Sequence, residues 1–122
     1  MELINIINII IAMGILNVWI IRYDLETQWR GGGSKNLMEE FSTYGLPLWF
    51  MYFVGFAKIS LAILLFLGIW INEFSFLGSI GISVLMAGAV LMHIKVQDPL
   101  KKSIPAFLML VLSSCVVIKN II

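Results

Sequence analysis

The chain has 122 residues, of which 61% are hydrophobic and only 12% charged, for a net charge of +1. Its mean hydropathy is +1.02. The 8 basic and 7 acidic residues cannot cover a water-soluble domain of this size, and so small a net charge gives no field to attract nucleic acid. A single cysteine, Cys115, leaves no internal disulfide, no CxxC pair and no cysteine zinc cage.

Apolar residues fall in four long blocks, Leu3–Ile21, Leu46–Ile71, Phe74–Met92 and Ile104–Ile118. A bilayer-spanning helix needs about 20 apolar residues, whereas barrel strands are about half as long and alternate in polarity. The chain therefore reads as one all-α, membrane-embedded domain, a four-helix bundle with spans near 3–22, 47–71, 74–95 and 99–119. The first block does not fit a signal peptide. Met1-Glu2 carries no positive charge, Asn5, Asn8 and Asn17 interrupt the run, and no small-residue cleavage site follows. It is expected to be a retained helix.

The long connector Arg22–Gly45 has helix signals of its own. Asn36 followed by Glu39 is an N-cap and capping-box pattern, and Leu37, Phe41 and Tyr44 share one face. Gly45 suits a left-handed C-cap and Pro47 the first turn of the next helix. These signals predict a short amphipathic surface helix over 37–44. The tract RGGGSK within the connector fails as a phosphate loop. Ser34 separates Gly33 from Lys35, Asn36 takes the Ser/Thr position, and a membrane helix precedes it. It reads instead as a hinge whose exposed amides, beside Arg30 and Lys35, would suit a lipid phosphate or an acidic partner.

The turn 71–73 is brief, so the second and third spans are antiparallel neighbours. Before the fourth span, Asp98-Pro99 reads as an N-cap with proline at N1, and Pro105 predicts a bend one turn later. Ser79, Ser83 and Ala87, with Gly78, Gly81 and Gly88, form a small-residue seam on the third span. That seam suits either another helix of the bundle or a homo-oligomer contact. Arg22, Arg30, Lys35, Lys95, Lys101 and Lys102 lie in the first and third connectors, against Lys119 alone on the other face. The positive-inside rule then places both termini outside and those two connectors in the cytoplasm.

The order RGGGSKN, EEF…YGLP, LWFMYFVGFAKI and MAGAVLMHIKVQDPLKKSIPAFLML resembles the DoxX-like family of small bacterial membrane proteins, over nearly the whole chain. The resemblance implies a four-helix bundle in the bacterial inner membrane. It also implies roles that vary among members. Some look like small subunits of quinone-linked oxidoreductases, and others are associated with oxidative-stress proteins. Related eukaryotic proteins resemble assembly chaperones for receptor channels. Classical members tend to carry a glutamate where this chain has Lys58, so a role for that acid does not transfer.

Lys58 is the sharpest polar signal, since it lies about 16 Å along the second span from Pro47, near the bilayer centre. A lysine at that depth needs a partner, with Ser83, Ser113, Ser114 and Cys115 at matching depth. A ligand or proton role and a purely structural contact are both open. For His93, near the inner end of the third span, a satisfied or headgroup-level role is favoured. The functional reading makes it a donor at the mouth of the bundle, near Arg22, Tyr23 and Asp24, with Asp98 as a further polar partner. Asn17, Arg22 and Arg30 complete the candidate ligand-binding set. One histidine without an intramembrane carboxylate makes no metal site, and no catalytic constellation is present. Trp29, Trp49, Tyr52 and Trp70 read as interface anchors.

Three functions follow from this reading. The first is a membrane subunit binding a quinone or other lipid-like ligand beside a redox partner. The second is a non-catalytic assembly or scaffold protein whose working surface is the small-residue seam. The third is a minimal transporter, weakened because such transporters rely on a carboxylate in the first span, and residues 3–21 contain none.

Overall fold

The computed structural model describes residues 3–21 and 30–122, and every regular element among them is helical. Helix α1 (Leu3–Leu16) passes directly into a π-turn, Asn17–Ile21, and a 3-10 turn, Gly31–Gly33, follows in the connector. The remaining helices are α2 (Leu37–Thr43), α3 (Leu48–Leu67), α4 (Asn72–Lys95) and α5 (Leu100–Ile121). The Leu3–Ile21 segment and α3, α4 and α5 are four helices long and apolar enough to cross a bilayer. The chain is a multi-pass membrane protein, with α2 as the short helix between its first two spans. Tyr23, Asp24, Trp29 and the candidate ligand residue Arg22 lie outside the described residues.

Local chemistry explains where α2 starts and stops. The Asn36 side chain accepts a hydrogen bond from the Glu39 amide at 2.9 Å, satisfying one of the donors a helix start leaves open. At the other end Gly45 takes the left-handed region, φ +78. This lets the Leu46 amide donate back to the Phe41 carbonyl at 2.9 Å, a closing turn that only a positive φ permits. Pro47 then caps α3. The start of α5 differs from expectation: Pro99 is the cap and Leu100 the first helical residue. Asp98 does not cap the helix, because its carboxylate is drawn to His93 and the Gly32 amide. Pro105 lies inside α5, which continues through it.

The spans form a ring in which α1 and α4 each pack against α3 and α5. Their shared core is Ile11, Ala12 and Ile15 of α1, Ala62 and Leu65 of α3, Ile82 and Met86 of α4, and Val116 of α5. A second cluster, Leu37 and Phe41 of α2 with Met51 and Val54 of α3, seats the surface helix on the connector end of the bundle. Trp19 packs against both clusters. Large apolar side chains such as Trp49, Phe53, Phe56, Val84 and Leu100 point outward, as hydrocarbon rather than water requires.

The small-residue seam of α4 is used within the chain. A side chain added at Gly78 or Gly81 would press on Leu61 or Leu65 of α3, while the Ser83 hydroxyl donates to Ser113 of α5 at 2.9 Å. Close approach of small residues is what packs membrane helices, and here it joins α4 to its own neighbours. Among the described residues, nothing crowds Gly88 of the seam.

Candidate functional site

Lys58 lies ten residues into α3, about 15 Å from its start and halfway along it. Its Nζ sits 5.5 Å from the centroid of the Trp19 ring, within range of a cation–π interaction. Trp19 reaches it from the π-turn, a wide turn of the kind often found at functional positions. Gly55, one turn before Lys58, makes room for the ring: a Cβ there would come 2.7 Å from Trp19 Cζ3. Gly55→Ala is therefore expected to push the indole off Lys58. Overpacking of this kind destabilises by about 1–3 kcal/mol, and thermal unfolding in detergent would measure it. Among the described residues no protein group hydrogen-bonds the Lys58 ammonium. Glu40 is the charged group among them that acts on it through space.

The polar partners expected of Lys58 are engaged elsewhere. Ser83 and Ser113 bond to each other, and Ser113 also donates to the Met109 carbonyl at 2.8 Å. Two features explain the difference. The Ser113 hydroxyl satisfies itself locally on α5, and α5 stands diagonally across the ring from α3. Ser114 is half-buried on the same helix, and Cys115 is exposed. Asn17 is half-buried at the start of the π-turn. Trp19, two residues on, is what meets Lys58.

At the connector end the glycine tract organises a second, denser polar cluster. Gly32 and Gly33 have φ of +62 and +75, a run that turns successive amides towards a common side and makes a concave anion seat. The seat is filled by the protein itself. The Gly31 amide donates to Glu40 of α2. The Gly32 amide donates to both oxygens of Asp98, at 3.0 and 3.3 Å. The amides expected to be open to an outside phosphate are thus bound to internal carboxylates. Arg30, 4% exposed, pairs with Glu40 at 3.8 Å. Ser34 donates to the Gly31 carbonyl at 2.6 Å and fixes the turn from the other side.

Asp98 also bonds His93 Nδ1, at 2.8 Å, and both side chains are nearly sealed from solvent. Burial alone would raise the Asp98 carboxyl. The Gly32 amide, the hydrogen bond and charge of His93, and the Lys102 ammonium outweigh it and hold the group below the usual carboxylate range. An ionised carboxylate only accepts, so His93 Nδ1 carries the hydrogen and donates it. Tyr44 packs edge-on against His93 at 6.1 Å. Burial, then the Glu40 charge and the hydrogen bond Glu40 accepts, then Asp98, push the Tyr44 hydroxyl above its usual range, against the opposing Arg30. Lys95 donates to the Tyr44 carbonyl at 2.9 Å and closes α4 onto the surface helix.

The sequence candidates thus fall into two groups. Arg30, His93 and Asp98 meet in one network, whereas Lys58 stands apart with Trp19 in the span. Phe41 bridges the two, 5.9 Å from Trp19 and 6.2 Å from Tyr44. Glu40, Tyr44 and Trp19 join the site without having stood out as site residues in the sequence. The second glutamate of Glu39-Glu40 was the available signal, because the N-cap pattern uses only the first. Among the described residues no three His, Cys, Asp or Glu side chains gather in a metal-binding arrangement.

Comparison with curated proteins and with solved structures gives no match in either case. The family model described as DoxX-like matches residues 31–116, from the first glycine of the carboxylate seat through the whole of α2, α3 and α4 and most of α5. The chain belongs to the DoxX-like family.

Proposed function

We propose that the protein is an accessory subunit of a membrane redox system, in the bacterial inner membrane, that binds a quinone or similar lipid-like molecule at Lys58. The observation that supports this reading is the Lys58 ammonium itself. It sits at mid-span over Trp19 with no protein acceptor among the described residues. An ammonium in hydrocarbon needs an acceptor, and a carbonyl oxygen on an apolar molecule supplies one at that depth. The aromatic face of Trp19 would support a flat ring beside it. Residues of the connector end, Arg30, His93 and Asp98 among them, would then brace the site rather than touch the ligand.

Solvent extraction of the purified protein tests the reading. A stoichiometric quinone or lipid is expected from the native chain and not from Lys58→Met or Lys58→Ala. An equal yield from Lys58→Met, or none from the native chain, would refute it.

The scaffold alternative was built on the small-residue seam, and Gly78, Gly81 and Ser83 are already packed inside the chain. A transporter reading has no acid in residues 3–21 to work with. For orientation we place the end bearing Arg30, Lys35, Lys95, Lys101 and Lys102 in the cytoplasm and both termini outside, on the positive-inside rule.

A further inference from the structure

The core of the bundle contains a line of hydroxyls that neither Lys58 nor the connector network uses. Ser75, Ser79 and Ser83 lie four residues apart on α4 and so share one face. Ser75 is 2% exposed and Ser79 is fully buried, and Ser83 meets the fully buried Ser113 of α5. At the outer end of this line Asn8 of α1, also fully buried, donates through Nδ2 to the Ser75 hydroxyl at 3.0 Å. Its carbonyl oxygen has no partner among the described residues. Turning the carboxamide over would exchange an orphan acceptor for an orphan donor, so the deficit stands in either orientation. Leaving such a group unpaired in a core costs about 1–3 kcal/mol.

The partners for a small donor are already in place. Ser75 accepts from Asn8 and retains its own O–H to give. Ser79 spends its O–H on the Phe76 carbonyl at 2.9 Å and retains lone pairs to accept. A molecule donating to Asn8 and Ser79 and accepting from Ser75 would have three hydrogen bonds, the usual number for a buried water. Above this level lies a cleft of about 180 Å³ lined by Asn72, Glu73, Phe76 and Asn120. Asn72 and Phe76 flank Ser75 on the same helix. Ser75 does not itself line the cleft, but the buried end of the line lies within one helical turn of it, at the end of the bundle opposite the glycine connector.

We propose that Asn8, Ser75 and Ser79 form a water-binding seat, entered from the Asn72–Asn120 cleft, and that the hydroxyl line carries this hydration inward to Ser83 and Ser113. Ser83 lies about 18 Å from the connector end of α4 and Lys58 about 15 Å from that of α3. Water in the line would thus approach the depth of Lys58 from the opposite face. Hydration of this line does not depend on Lys58 binding a ligand.

Silver-ion accessibility tests it in the full chain reconstituted in liposomes, because Ag⁺ is close to water in size and captures a thiol only where water brings it. In a Cys115→Ser background, Ser79→Cys is compared with Ile82→Cys, its fully buried apolar neighbour. Protection of each thiol from maleimide labelling after denaturation is the readout. Ser79→Cys is expected to react about tenfold faster or more, since thiol chemistry follows access. Adding Asn8→Leu should slow Ser79→Cys to the Ile82→Cys rate. Equal rates for Ser79→Cys and Ile82→Cys, in protein that elutes as one species, would mean a dry line and overturn the proposal. Unchanged fast reaction with Asn8→Leu would equally overturn the assigned seat.

Discussion

Replacing Asp98 by alanine is expected to lower the stability of the protein by about 3 kcal/mol, the scale for breaking a buried pair whose partner stays behind. Two groups lose their acceptor at once, the His93 Nδ1–H and the Gly32 amide. His93 is buried where water does not readily replace the carboxylate, whereas Gly32 lies in an exposed turn and contributes less. Asp98→Asn keeps a carbonyl oxygen for one of them and is expected to cost less, about 1–2 kcal/mol. Thermal unfolding in detergent separates the two variants.

The effect has a sign with pH. The folded-state carboxyl of Asp98 is held below its usual value, so its contribution is fully present above about pH 4, the unfolded value, and is lost as pH falls through the lower folded value. The gap between native protein and Asp98→Asn should therefore close in strong acid. Tyr44 is shifted the other way. Its contribution is present below about pH 10 and fades as pH rises from there towards the raised folded value. A stability plateau between those limits is the expected profile.

Glu40→Ala is expected to be as damaging, again by about 3 kcal/mol, since Glu40 serves the Gly31 amide, the Arg30 guanidinium and the Tyr44 hydroxyl together. The informative measurement is the double variant with Asp98→Ala. Gly31 and Gly32 are adjacent in one turn, so a turn that has lost one carboxylate is already loosened for the other. The two costs should fall short of additivity by about 1 kcal/mol, within the range for residues in a shared network. Full additivity in a double-mutant cycle would mean that the two carboxylates hold their amides independently.

Much of this architecture was legible in the residues, for physical reasons that differ by element. The spans showed because hydrocarbon demands long apolar runs, and α2 because Asn36, Gly45 and Pro47 each have one good use at a helix boundary. The carboxylate seat was not legible. Gly31-Gly32-Gly33 announces a turn with aligned amides, but an amide seat is equally suited to phosphate, lipid or side chain. Only the placement of Glu40 and Asp98 decides among them, and Asp98 is 66 residues away. Lys58 could be singled out by depth, yet its neighbour could not. Depth matching proposed Ser83 and Ser113, whereas the side chain that meets it is Trp19, presented by a π-turn that apolar periodicity does not reveal. The start of α5 failed for a related reason. Asp98-Pro99 is a sound local capping signal, overridden because a distant histidine and glycine amide compete for the same carboxylate.

The distance from Gly32 to Asp98 also sets a clock. Synthesis at about 5–20 residues per second brings Asp98 out roughly 3–13 s after Gly32, when α2, α3 and α4 already exist. Glu40, only nine residues from Gly31, arrives within the first second or two. One half of the glycine seat can therefore close almost at once, while the other waits for the chain to cross the membrane twice more. The connector is thus made early and fastened late, and the bond from Gly32 to Asp98 reports that the spans up to α4 are in place.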